Sequence, residues 1–172
     1  VKEGQYPIDL FLRDMGRNPP HRVRGTAVFM TRESDGIPLA LLHNLKHNQV
    51  LHEQVVFLTA RTEGVPHVTP EERQTVTDLG MGFFRVVLRY GFMENPDIPP
   101  ALAQLNVEGL KFEPMRTTYF LGRETVIATK RPGMALWREG LFARMLRNET
   151  TATTYFSLPP NRVVELGAQI EL

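Results

Sequence analysis

Within about 35 residues the chain passes from a β-favouring run to a helical repeat and back again, and few folds accommodate that alternation. Thr26-Ala27-Val28-Phe29-Met30 is apolar and strand-like, and the turn pair Asp35-Gly36 follows it. Pro38 stands where a helix can begin, and Leu39, Leu42 and Leu45 recur at spacing three as far as Asn48. Gln54-Val55-Val56-Phe57-Leu58-Thr59-Ala60 then resumes the strand pattern. Strand, helix and strand in this order predict a βαβ unit, in which the two strands run parallel and the crossover is right-handed. An α/β sheet is the expected product.

The remaining segments extend that sheet. Residues 62–72, with Gly64, Pro66 and Pro70, read as a surface loop. Thr75-Val76-Thr77 and Phe83-Phe84-Arg85-Val86-Val87-Leu88 flank Gly80-Met81-Gly82 and predict a β-hairpin. A short helix is expected from about Pro100 to Glu108, stopped by Gly109. Tyr119-Phe120-Leu121 and Thr125-Val126-Ile127 supply strand material, and Met134, Trp137, Leu141 and Met145 mark a long helix face. Arg162–Leu166 and Gln169–Leu172 read as a terminal strand. Ahead of all this, Ile8, Leu10, Phe11, Leu12 and Met15 form an amphipathic patch of one or two helical turns, stopped by Gly16 and Pro19-Pro20. The expected architecture is one α/β domain, residues 21–172, whose mixed sheet of about five to seven strands contains the βαβ unit and the hairpin, with helices packed on it. Residues 1–20 are expected to be a juxtamembrane entry segment: Arg13 and Arg17 within it, with Arg22 and Arg24 just after it, suit a position beside anionic lipid, although a solvated positive loop accounts for them equally.

Composition narrows the function. The 172 residues contain no cysteine, which excludes disulfides, thiolate metal sites and cysteine nucleophiles. A formal charge of +1 leaves little long-range field to steer a nucleic acid, so none is expected as a partner. Val55–Leu58 and Val86–Leu88, the longest strongly apolar stretches, fall far short of the ~20 residues that span a bilayer. The first residues lack the apolar core of a signal peptide, and the chain starts at Val, as expected for a piece of something longer.

Catalytic motifs are not found. Neither glycine-rich phosphate loop occurs, and Gly80-x-Gly82 lies between strands. The two serines, Ser34 and Ser157, are outside any nucleophile elbow. His43 and His47 share a helix face and His52 follows, but Asn44 replaces the Glu of a zinc protease; these histidines read as capping and surface groups, and no metal site is assigned. Glu71 and Glu72 after Thr69-Pro70 suit the first turn of a capped helix. Arg61, Arg85, Arg89, Arg116 and Arg123 are spaced so that several could line the sheet and meet an anion, although a solvated face accounts for them equally. Asn148-Glu149-Thr150 matches a glycosylation sequon, which means nothing if the domain is cytoplasmic. Trp137 and its neighbouring methionines read as core. No catalytic residue and no cofactor are assigned, and an enzyme is the least expected class.

Several blocks nevertheless resemble one family in the same order. Arg22-Val23-Arg24-Gly25-Thr26-Ala27-Val28-Phe29, Ala40–Asn48 with Leu51-His52-Glu53, Tyr90-Gly91-Phe92-Met93, Tyr119–Thr125 and Pro159–Gly167 are similar to the C-terminal cytosolic domain of bacterial Kup-type (Kup/HAK/KT) potassium transporters. Arg24 departs from the pattern, standing where the family often has Pro. The resemblance implies the cytoplasmic tail of an inner-membrane permease that imports potassium by symport with protons. The implied partner is the transmembrane portion of the same polypeptide, whose helices carry the ion pathway.

A regulatory or assembly role follows, with Ile8–Arg24 transmitting a bias to the membrane part. Deleting that segment is therefore expected to alter uptake without altering the domain's melting. The alternatives are a sensor of a cyclic dinucleotide such as cyclic di-AMP, bound beyond the strand ends near Thr31 and Arg61, and a homodimerisation module.

Overall fold

The computed structural model describes residues 6–31, 36–122 and 152–167. β1 (His21–Met30), α2 (Leu39–Asn48) and β2 (Val50–Glu63) form the βαβ unit, with the two strands parallel from His21 opposite Val50 to Met30 opposite Leu58. Both strands are longer than their apolar runs. A register shift between Val23 and Thr26 lets the polar residues from His21 onward keep pairing, and Gly25 absorbs it at φ +106°. A Cβ there would lie 2.4 Å from the Arg116 carbonyl oxygen, so only glycine fits this bulge.

β3 (Gln74–Gly80) and β4 (Phe83–Gly91) are the expected hairpin, turning through Gly80, Met81 and Gly82, all with positive φ. β5 (Thr117–Gly122) and β6 (Val163–Leu166) complete a six-stranded sheet in the order β3-β4-β2-β1-β5-β6, parallel except for β3. Its central strands read as nearly unbroken apolar runs because both faces are covered. One face places Ala27, Phe29, Val55, Phe57, Phe83 and Phe120 under Ile8, Phe11, Ile37 and Leu41. The other places Val28, Val56, Val86, Leu88 and Leu121 under Ile98 and Leu102 of α3 (Ile98–Ala103) and Ala152 of α4 (Ala152–Tyr155).

Three expectations are corrected. α1 (Ile8–Arg17) has ten residues and runs through Gly16, longer than one or two turns. Its Ile8 and Phe11 are buried in the core, so deleting Ile8–Arg24 would disturb the domain's own melting. The helix expected over 100–108 is α3, which ends at Ala103; past it the chain turns back at Val107–Leu110, and Gln54 holds that turn, its Nε2 donating to the Gly109 carbonyl (2.8 Å) and its Oε1 accepting the Lys111 N–H (3.2 Å). Glu71 and Glu72 lie in a turn and not in a helix, with the Glu72 N–H on the Thr69 carbonyl and β3 starting two residues later. The strand at 125–127, Arg123, Ser34, the Trp137 helix, the sequon at 148–150 and the run 169–172 lie outside the described residues.

Candidate functional site

Of the arginines singled out from sequence, Arg61 and Arg89 lie towards the carboxyl ends of β2 and β4, and Arg85 lies near the start of β4. Side chains two apart on a strand share a face. Phe57, Thr59 and Arg61 of β2 therefore stand beside Arg85, Val87 and Arg89 of β4, in the register Phe57–Arg85, Thr59–Val87 and Arg61–Arg89. Arg89 donates to Thr75 Oγ1 on β3 (2.8 Å) and pairs with Glu63 (3.7 Å). Thr31, whose N–H donates to the Leu58 carbonyl (2.8 Å), continues β1 alongside Thr59. Thr59 is 1% exposed and its hydroxyl meets no partner among the described residues. Guanidinium groups and threonine hydroxyls on one face are chemistry suited to an anion, and the Arg89 charge is already met by Glu63. Arg116 is elsewhere, ahead of β5, beside Glu113 (3.4 Å).

The histidines do not converge. His43 and His47 stack one turn apart on α2, ring centroids 6.1 Å apart, whereas His52 lies on β2 edge-on to Phe120. Burial lowers the pKa of His52, which keeps it neutral. No group of three His, Asp or Glu residues among those described is placed to hold a metal. Asn44 is buried and donates to the Val50 carbonyl (3.1 Å), tying the end of α2 to the start of β2 as a polar group in a crossover should. Arg22 clamps the opposite end of the sheet, donating to the His52 and Met81 carbonyls (2.9 and 3.0 Å) with its guanidinium over Phe83.

A second polar cluster escaped the sequence reading because its partners lie 21 residues apart. Glu94 accepts from Arg73 Nη2 and from the Gly91 N–H (both 2.5 Å) and from the Val68 N–H (3.2 Å). Arg73 also donates to the Val68 carbonyl (3.0 Å) and lies over the Tyr90 ring. The Arg73 hydrogen bond, then the Gly91 N–H, hold the Glu94 carboxyl at about 2, against an ordinary 4.5. Burial pushes the Tyr90 hydroxyl up to about 12.

A carboxylate with a depressed native pKa stabilises the fold above its unfolded value, and that contribution is lost as pH falls from 4.5 towards 2. His52, neutral in the fold, adds a loss that begins as pH drops through 6.5. Urea midpoints are thus expected to fall steadily on acidification. Glu94→Gln should lower the midpoint at pH 7 and flatten the decline between 4.5 and 2; a variant with the unaltered profile would exclude this role for Glu94.

A family model described as K+ potassium transporter C-terminal domain matches residues 24–172. The whole chain is 59% identical to a protein of Myxococcus xanthus and to one of Pseudomonas aeruginosa, each titled "Probable potassium transport system protein Kup", and 56% identical to one of that title in Pseudomonas fluorescens. It spans 26% of the length of the first and 27% of the other two. No solved structure matches. Among the described residues no helix is long and apolar enough to cross a membrane.

Proposed function

The chain belongs to the K+ potassium transporter C-terminal domain family, and on that premise we propose that it is the cytosolic regulatory domain of a potassium uptake permease, a potassium:proton symporter of the inner membrane whose ion pathway lies in the rest of the polypeptide. The observation that carries this reading is the 59% identity over all 172 residues to proteins titled as potassium transport systems, of which this region is about a quarter.

Regulation by such a domain requires that its packing, ligand or partner differ in free energy between transporter states. A difference of ~1.4 kcal/mol sets a tenfold change in the ratio of those states. α1 is suited to carry it. The backbone ahead of the helix is tied to the start of the crossover, where the Ile37 N–H donates to the Tyr6 carbonyl (3.2 Å) and Pro7 bridges Gly36. Its Ile8 and Phe11 press on the sheet, so a displacement of that backbone loads the core directly. The test is a flexible Gly-Ser insert ahead of Tyr6 in the whole polypeptide, expected to shift potassium uptake while the domain's melting stays the same.

A further inference from the structure

Beyond the carboxyl ends of β2 and β4 the fold displays apolar side chains on a rigid support. Val65, Phe92 and Met93 are 47, 49 and 67% exposed. They belong to two segments bonded backbone to backbone, the Phe92 N–H on the Val65 carbonyl (2.9 Å) and the Met93 N–H on the Pro66 carbonyl (3.2 Å). The Glu94 carboxylate, held by Arg73 and two backbone N–H groups, locks both segments from below. Large apolar groups exposed on a pre-organised platform mark an interaction surface more than a solvent-facing turn does.

The charge around this tip narrows the occupant. At this end Glu63, Glu71, Glu72, Glu94 and Asp97 outnumber Arg61, Arg73 and Arg89. Ion pairs among the described residues join Arg73 to Glu94 and Arg89 to Glu63, while Glu71, Glu72 and Asp97 are exposed. An acidic rim disfavours an anionic lipid surface and disfavours the same tip of a second copy. It complements the cytoplasmic loops of a membrane protein, which carry an excess of Lys and Arg. Geometry agrees, since Tyr6 and Pro7 also lie at the carboxyl-end side of the sheet, beside Gly36 and Ile37, and in a C-terminal domain the larger part of the polypeptide arrives from the amino-terminal side.

We propose that the Val65–Phe92–Met93 tip, with its acidic rim, docks on the Lys/Arg-rich cytoplasmic loops of the membrane-embedded part of the same polypeptide, an inference that rests on the permease reading above. The absence of cysteine makes a single introduced thiol a unique reporter in this chain. Met93→Cys, at the tip, is compared with Met115→Cys, 75% exposed at the amino-terminal edge of β5 at the opposite end of the strands. Each is labelled with a membrane-impermeant maleimide, read by peptide mass, in three settings: the 172-residue chain, the whole polypeptide in inside-out vesicles, and the whole polypeptide in mild detergent.

The expected result is that labelling at position 93 slows at least tenfold in both vesicles and detergent relative to the free chain, while position 115 keeps its rate. Undiminished labelling at 93 overturns the docking, and so does equal protection at both positions. Protection that disappears in detergent overturns it in favour of lipid. Rapid labelling of 115 from the cytoplasmic side beside rapid labelling of 93 sinks the docking alone, whereas labelling of 115 only from the other side sinks the permease reading.

Discussion

Replacing Phe11 by alanine is expected to cost about 3–5 kcal/mol, the range for removing a buried aromatic ring. Phe11 is 2% exposed, and its ring meets Phe83 edge-on with centroids 5.6 Å apart. The hole it leaves lies between α1 and the sheet, and Phe83 cannot swing in to fill it, being fixed under the Arg22 guanidinium and against Phe57. Leu10, the residue before it, is 45% exposed, and its replacement by alanine should stay within about 0.5 kcal/mol. Urea unfolding of the two variants checks both values. A Phe11→Ala domain as stable as the Leu10→Ala domain would mean that α1 is an attached linker and not part of the core.

Gly91→Ala is expected to be nearly as damaging, for a different reason. A Cβ at this position would lie 2.0 Å from the Pro66 carbonyl oxygen and 2.5 Å from the His67 nitrogen. These are backbone atoms and cannot rotate away, so the 64–68 segment must leave β4. Its departure also breaks the Phe92 and Met93 hydrogen bonds and the grip of Glu94 on Val68. A loss of about 3 kcal/mol, the upper part of the overpacking range, is the expected outcome. Gly64, in the same loop, has nothing within 4 Å of its Cβ direction, and alanine there should be neutral or slightly stabilising. Melting temperatures of the pair provide the check, and equal values would show that loop and strand are not in fact pressed together.

Legibility followed the range of the interactions. The βαβ unit, the Gly80–Gly82 hairpin and the final strand were readable because neighbouring residues encode them: apolar runs, Pro38 ahead of a leucine repeat, glycines between strands. Helix ends were not, because distant groups decide them. The loop after α3 is held by Gln54 on β2 through hydrogen bonds to Gly109 and Lys111, and nothing near residue 104 signals it. α1 read as a linker because Ile8 and Phe11 are an unremarkable apolar pair until the aromatic face of Phe57 and Phe83 is assembled beneath them.

The site divides in the same way. Arg85 and Arg89 are four apart on one strand and so share a face by arithmetic, but the placing of Arg89 directly beside Arg61 depends on the register between β2 and β4. The Glu94 cluster depends on a loop returning to the end of β4, and Gly91, inside one of the blocks that resemble the family, was its only local trace.

Potassium uptake by the whole polypeptide bearing a flexible insert ahead of Tyr6, measured at equal amounts of protein in the membrane, is the most direct trial. If these residues bias the permease, the mechanical link is loosened while the domain stays intact, and uptake should change by up to about tenfold for ~1.4 kcal/mol of lost coupling, with melting of the domain unmoved. Uptake indistinguishable from that of the uninterrupted protein across external potassium concentrations would contradict the account.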